Sequence, residues 1–325
     1  MTHSTVAHGE IHRVAVVGSG YMGGGIAQVL ALSGATVVLA DVDGERAAAA
    51  LNRLIEQADR FESSGLFDAG SGEVLRQRLT AANSVEDAVA SADYVTEAVF
   101  ETREIKREAL TRISAAAPEQ AIIATNTSAI PIGELAEAVE RPERFLGVHW
   151  MNPAPFIPGV ELIAATQTSA HTIETVEAFI RAAGKVTARV ADSPGFVANR
   201  LQFALYREAV KVVEEGLATP AEIDLVVSST FGFRLALFGP FAIGDMAGLD
   251  VYAAAYATLA ASLGDRLDAP ASLTRLVDEG HLGLKSGKGF LDIDEADVPQ
   301  LLSYREKAYH ALSSLRRQLG PPPGL

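Results

Sequence analysis

The sequence predicts an α/β domain built on a doubly wound, mostly parallel sheet, followed by an all-α domain. Three observations carry this reading. Short, apolar, β-branched runs alternate with helical stretches over about the first 190 residues. Beyond about residue 192 the apolar spacing is helical, with no convincing strand until the C-terminal end. The chain has 325 residues, 48% hydrophobic and 21% charged, which suffices for two cores.

VAVVGSG (14–20) is a continuous apolar run ending in glycine, the pattern of a strand buried on both faces. In YMGGGIAQVLALSG (21–34), Met22, Ile26, Val29 and Leu30 share one helical face, and Gly34 offers a C-terminal stop. TVVLAD (36–41) is a second buried strand, and a helix follows over 45–62. Three more strands are expected in DYVTEAVFE (93–101), AIIATNTS (121–128) and RFLGVHW (144–150), with helices at 102–117 and 131–139. Strands spaced by helices imply right-handed parallel crossovers. The turn-forming ADSPG near Ala191 places the boundary, giving domains 1–191 and 192–325. After it, 199–217 carries an apolar helical face, and Thr219-Pro220-Ala221-Glu222 has the form of a capping box. Helices at 240–263, 270–279 and 297–318 complete the chain before a frayed GPPPGL. Phe203, Tyr206, Phe231 and Phe233 are expected in the core, and Asp245 and Asp250 as structural caps.

A net charge of −14 disfavours nucleic acid and anionic membrane as partners. The absence of cysteine removes disulfides and thiolate metal sites, which fits a cytoplasmic protein. MTHSTVAHGEIHR has no apolar signal core, and the longest apolar run, 251–263, is too short to span a bilayer. Histidines at 3, 8, 12, 149, 171, 281 and 310 form no ligand cluster, so no metal is expected.

Gly18-Ser19-Gly20-Tyr21-Met22-Gly23 is a G-x-G-x-x-G between a strand and a helix, the context in which the pattern binds a dinucleotide. The first glycine permits the tight turn, the second admits a pyrophosphate, and the third lets helix and strand pack. Asp41 ends the next strand, where a carboxylate accepts from an adenosine ribose and repels a 2′-phosphate. This favours NAD over NADP. The competing reading is a glycine turn beside an ordinary surface aspartate. GLKSGKGF (283–290) looks faintly like a phosphate loop but lacks the spacing and the strand–helix context, so a turn is expected.

His149 ends its strand, at the edge of an open α/β sheet where ligands bind. About eight residues join it to GVELIAA (159–165), too few for a parallel crossover. An antiparallel return brings Glu161 alongside His149, with prolines 153, 155 and 158 in the connection. A carboxylate on one ring nitrogen fixes the tautomer and raises the basicity of the other. Alcohol oxidation removes a hydride from carbon and a proton from oxygen; a nicotinamide suits the first and such a histidine the second. A structural hydrogen bond is the alternative.

GSGYMGGGIAQ, the acid in VVLAD, EAVFE with Lys106, TNTSAI, HWMNP, VELI, DSPGFVANR, GPF with GDMAGLD, and GLKSGKGF occur in this order. Over about residues 12–293 the chain thereby resembles the L-3-hydroxyacyl-CoA dehydrogenase family. The resemblance implies a Rossmann domain and a helical domain that mediates homodimerisation. It implies His149 as catalytic base, Glu161 as its partner, Ser128 and Asn199 on substrate oxygens, and Glu101 and Lys106 beside the nicotinamide. The expected cofactor is NAD, bound by Gly18, Gly20, Tyr21, Met22, Gly23 and Asp41, and the expected partner a small-molecule acyl-CoA. On bare sequence Ser128 also reads as a helix cap, Asn199 as a first-turn residue, and Glu101 with Lys106 as a surface pair. The chain departs from the family's acyl-CoA members at Ala129, at Pro158-Gly159, and over 55–80, which holds Arg60, Arg76 and Arg78 but no lysine. HWMNP-x-x-x-IP and RLQFALYREA also resemble gulonate, carnitine and hydroxymethyl-pyridine-acid dehydrogenases. A silent, crystallin-like binding protein is the reading outside enzymes.

Overall fold

The computed structural model describes residues 11–323. The first ten residues and the last two of GPPPGL, with what was expected of them, lie outside the described residues. The chain divides into two compact units between Leu205 and Tyr206.

In the first unit the elements run β1 (Arg13–Val17), α1 (Tyr21–Leu32), β2 (Thr36–Ala40), α2 (Gly44–Ser63), α3 (Ser71–Arg78), β3 (Leu79–Ala81), α4 (Val85–Val89) and β4 (Tyr94–Glu97). They continue with α5 (Arg103–Ala116), β5 (Ile122–Thr125), α6 (Ile132–Ala136), β6 (Phe145–Trp150), β7 (Gly159–Ala164), α7 (Ala170–Ala182) and β8 (Val186–Val190). One sheet has the order β3-β2-β1-β4-β5-β6-β7-β8, parallel except where β7 runs against β6. The sequence rule that eight residues cannot make a crossover is met: β7 returns antiparallel with His149 directly opposite Glu161.

Both sheet faces are covered, which explains the continuous apolar runs. Val14 and Val16 of β1 pack with Ile26 and Leu30 of α1, while Ala15 and Val17 face Leu110 and Ile113 of α5. Gly34 follows the end of α1 with φ +113°, the stop expected for it. The strands at 93–101 and 121–128 are shorter than their apolar runs: each ends where its chain leaves the sheet to build the site, at Glu97 and Thr125. β3 and β8 were not anticipated. β8 is an edge strand whose residues alternate little and are largely exposed, so no apolar run announces it.

The helix α8 (Ala198–Glu214) crosses the division, which falls later than the turn near Ala191. Its first backbone N–H groups bond to the sheet, and this keeps its opening turns with the first unit. The second unit holds α9 (Pro220–Ser229), α10 (Phe231–Leu235), α11 (Pro240–Ala247), α12 (Leu249–Leu263), α13 (Ala271–Asp278) and α14 (Val298–Leu319). The capping box at α9 forms as read, Thr219 and Glu222 each bonding the other's backbone N–H. The expected helix 240–263 is two, broken at Gly248 with φ +103°. GLKSGKGF is a turn: Gly283 N donates to Lys288 O at 2.6 Å, and the buried Asp245 carboxylate accepts from Phe290 N and Leu291 N. Phe203 and Tyr206, expected in the core, are instead 63% and 66% exposed. Among the described residues nothing covers that stretch of α8, and the helix has no buried residue. Among the described residues no single helix is long and apolar enough to cross a membrane.

Candidate active site

The glycine loop passes the space test for a dinucleotide. Gly18 has φ +97°, and a Cβ there would lie 2.6 Å from the Ala98 carbonyl group. A Cβ on Gly23 would lie 1.8 Å from Gly18 O, so only glycine lets α1 close on the loop. A Cβ on Gly20 would meet nothing within 4 Å, leaving open space over the loop where a pyrophosphate can approach. Tyr21 is 63% exposed at the start of α1, and Met22 is half-buried behind it. The Asp41 carboxylate accepts from Ser19 N at 2.9 Å and from Ser19 Oγ at 2.5 Å, so it is fixed beside the loop. Burial works to raise its pKa, but hydrogen bonds from Ser19 and Val42 and the charge of Arg46 hold it below the ordinary aspartate range. It is an ionised acceptor at the end of β2, suited to a ribose.

At the neighbouring strand ends a second carboxylate network shapes the loop after β5. Glu97 and Lys106 are fully buried, with Nζ to Oε1 at 2.8 Å. Glu97 also accepts from Thr125 Oγ1 at 2.6 Å and Val99 N at 2.7 Å, which satisfies a charge that burial would otherwise penalise. Lys106 reaches Glu101 Oε2 at 3.4 Å. Glu101 in turn accepts from Thr127 Oγ1 at 2.6 Å, Ser128 N at 2.7 Å and Ala129 N at 3.1 Å. The surface-pair reading of Glu101 and Lys106 therefore fails for Lys106. Its ammonium is buried against Glu97 and meets Glu101 from behind the loop.

Ser128 does not cap α6. The first N–H groups of that helix, Ile132 N and Gly133 N, go to Asp192 at 2.9 and 2.8 Å. Ser128 O instead accepts from Asn199 Nδ2 at 2.8 Å, which brings the Asn199 side chain onto the Ser128 backbone. Asn126 Oδ1 accepts from Trp150 N at 2.9 Å and ties the same loop to the end of β6.

His149 Nδ1 lies 2.9 Å from Glu161 Oε2, and both residues are buried. An ionised carboxylate can only accept, so Nδ1 carries the proton and Nε2 the lone pair. Among the described residues none bonds Nε2. The other oxygen of Glu161 accepts from Val197 N at 3.1 Å and Ala198 N at 2.9 Å, at the start of α8. Burial works to raise the Glu161 pKa, yet the hydrogen bonds from His149 and from the two N–H groups hold it below the ordinary glutamate range. Phe196 packs its ring 5.5 Å from the imidazole and is fully buried at φ +50°. Such a backbone is costly for a bulky residue and persists because its surroundings over-determine it.

Sequence reasoning missed Glu97, Phe196, Asp192 and Asn126. Glu97 left a signal, an acid inside a buried strand run with a lysine nine residues on. Phe196 left none, since only the fold gives it a left-handed backbone. Among the described residues no group of three or more His, Asp or Glu side chains could hold a metal.

Two family models match the chain: the NAD binding domain of 3-hydroxyacyl-CoA dehydrogenase over residues 13–193 and its C-terminal domain over 195–293. The chain belongs to the 3-hydroxyacyl-CoA dehydrogenase family. It is accordingly an NAD-dependent oxidoreductase of that type. It is 38% identical over 287 residues to a probable 3-hydroxybutyryl-CoA dehydrogenase of Bacillus subtilis, covering 88% of this chain and 99% of that one. The crystal structure of a 3-hydroxyacyl-CoA dehydrogenase from Archaeoglobus fulgidus matches with TM-score 0.77 and 32% identity, over 95% of this chain and 99% of that one. The structure of 5-formyl-3-hydroxy-2-methylpyridine 4-carboxylic acid 5-dehydrogenase, an NAD+ dependent dismutase, matches with TM-score 0.71 and 35% identity, over 96% and 100%.

Two outcomes are expected. Asp41→Ala weakens NADH binding by about tenfold and NADPH binding far less, read by fluorescence titration, because the ribose acceptor is lost. Equal weakening of both contradicts the ribose assignment. Since the folded-state pKa of Glu161 is lowered, its contribution to stability is present above the ordinary carboxylate range and is lost as pH falls through the lowered value. Glu161→Gln therefore destabilises by about 1–3 kcal/mol at neutral pH, and by less at about pH 3, in urea denaturation. The same loss at both pH values would show that the carboxylate charge is irrelevant.

Proposed function

We propose that the chain interconverts a 3-hydroxyacyl thioester and its 3-keto form, with His149 as general acid and base. The observation that carries this is the buried 2.9 Å contact of His149 Nδ1 with Glu161, which leaves Nε2 as the basic nitrogen at the ligand edge of the sheet. Bound NAD supplies the hydride acceptor for the oxidation and, reduced, the donor for the reverse. Gly18, Gly20, Tyr21, Met22, Gly23 and Asp41 hold it, with Glu101 lining the nicotinamide side and Lys106 setting Glu101. Ser128 and Asn199, joined through the Ser128 carbonyl, hold the substrate oxygens. Nε2 takes the hydroxyl proton, and the resulting imidazolium is stabilised by Glu161 through Nδ1. In reduction the same nitrogen returns the proton to the nascent alkoxide.

A second reading, a free hydroxy acid as substrate, is favoured by the helices α2 and α3. CoA carries several phosphate charges, and the arginines there are the cations available to meet them. Three of these are engaged within the protein: Arg53 donates to Ser19 O at 2.8 Å, Arg76 pairs with Asp59 at 2.5 Å, and Arg78 donates to the Gly34 carbonyl. The near full-length match to a pyridine-carboxylate dehydrogenase supports the same reading.

We further infer a cytoplasmic homodimer. Phe203 and Tyr206 on α8, Leu217 in the connection and Leu225 on α9 are exposed, apolar surface that a second copy would cover.

His149→Gln is expected to lower turnover by 10²–10⁴-fold, as removal of a general base does, while NADH affinity stays within about twofold. Loss of both together contradicts the assignment. NADH oxidation with acetoacetyl-CoA beside free acetoacetate separates the two substrate readings. Turnover of the thioester alone supports the first; turnover confined to free acids supports the second.

A further inference from the structure

The connection between the two site strands has an unusual anchor. Lys185, between α7 and β8, is only 8% exposed. Its Nζ donates to Ala154 O at 2.6 Å and Ile157 O at 2.8 Å, and lies 3.4 Å from Pro155 O. The same ammonium stands 5.6 Å from the centre of the Trp150 ring, a cation–π contact with the residue next to His149. No carboxylate pairs with it among the described residues, and burial pushes its pKa below the ordinary lysine range. A buried cation without a counter-ion is costly, so its hydrogen bonds must be worth keeping.

Within the segment it grips, Phe156 N and Ile157 N donate to Pro153 O, and the Phe156 ring packs 5.2 Å from that of Phe61; among the described residues Lys185 is the one side chain that bonds the carbonyls of 154–157. Prolines 153, 155 and 158 remove ladder donors from this segment. On its other side the segment touches the cofactor helix: a Cβ built on Gly25 of α1 would stand 3.1 Å from Pro155 Cδ and 3.3 Å from Ala154 Cβ. The segment therefore spaces His149 from the helix that opens on the glycine loop.

We propose that Lys185 is a positioning residue: by clamping the backbone of 154–157 it sets where the His149–Glu161 pair stands relative to α1 and its cofactor. This rests on the dehydrogenase reading above. Misplacement on the order of 1 Å lowers turnover by up to about 10²-fold without loss of binding groups.

The test compares the wild type with Lys185→Met, Lys185→Arg and Gly25→Ala. Trp150 is the only tryptophan, so intrinsic emission reports this place directly. Lys185→Met keeps the apolar stem but donates nothing. It is expected to shift Trp150 emission and to lower kcat by about tenfold or more, with KM and NADH affinity within about twofold. Lys185→Arg restores donors and recovers part of kcat. Gly25→Ala pushes the segment from the opposite side and lowers kcat with a smaller emission shift. Wild-type kcat in Lys185→Met despite shifted emission overturns the proposal. So does a fall in kcat matched by equal loss of NADH affinity and not relieved by arginine, which marks a merely structural lysine. If Lys185→Met does not fold, Lys185→Arg and Gly25→Ala decide: unchanged kcat in both, with emission moved, is the contrary result. A wild type that binds NADH but turns over no hydroxy acid or thioester instead overturns the dehydrogenase reading, and the proposal with it.

Discussion

Glu161 is shared between two tasks. One carboxylate oxygen holds His149 Nδ1 at 2.9 Å; the other accepts from Val197 N and Ala198 N, the opening of α8. The antiparallel pairing of β6 and β7 supplies the register that makes this possible, with His149 and Glu161 as direct cross-strand partners. Three otherwise separate pieces thus meet on one side chain: the strand end that carries the imidazole, the returning strand, and the helix that carries Asn199. Because the carboxylate is fully occupied, it is held ionised against the effect of burial. An ionised Glu161 is what assigns the proton to Nδ1 and the lone pair to Nε2.

The second carboxylate system works one strand pair away and by the same logic. Glu97 neutralises Lys106 at the end of β4, and Lys106 draws Glu101 toward the N–H groups of Ser128 and Ala129. Asn199 bonds the same loop at Ser128 O, and Asn126 bonds the backbone beyond His149. The loop after β5 is therefore fixed from the cofactor side, from the histidine strand and from α8. Lys106, which a surface reading would place in a weak pair, is instead buried against Glu97, and the charges there form part of the frame of the loop.

Much of this was legible in the sequence, and the legible parts share a cause. The doubly buried strands, the glycine loop and Asp41 follow from local pattern, because apolar runs and a strand–glycine–helix transition are sequence-local signals. The His149–Glu161 pairing was legible from loop length alone, since an eight-residue connection cannot cross over. What stayed hidden depends on contacts distant in the chain. Asp192 caps a helix about 60 residues earlier, so Ser128 only seemed available as the cap. Phe196 adopts a left-handed backbone that no composition foretells, and β8 is an exposed edge strand with no apolar run. Phe203 and Tyr206 have core-like character but lie exposed, because apolar composition alone does not say whether a face packs within its own chain.

The central claim is that Glu161 fixes the His149 ring with its proton on Nδ1. Nitrogen-15 NMR of the histidine side chains reads this directly, with His149 assigned by its absence from the His149→Gln spectrum. The account predicts that His149 is a neutral Nδ1–H tautomer in the wild type near neutral pH, opposite to the form usual for free imidazole side chains, and that Glu161→Gln allows tautomeric exchange. A wild-type His149 carrying its proton on Nε2, or an unaltered tautomer in Glu161→Gln, would contradict it.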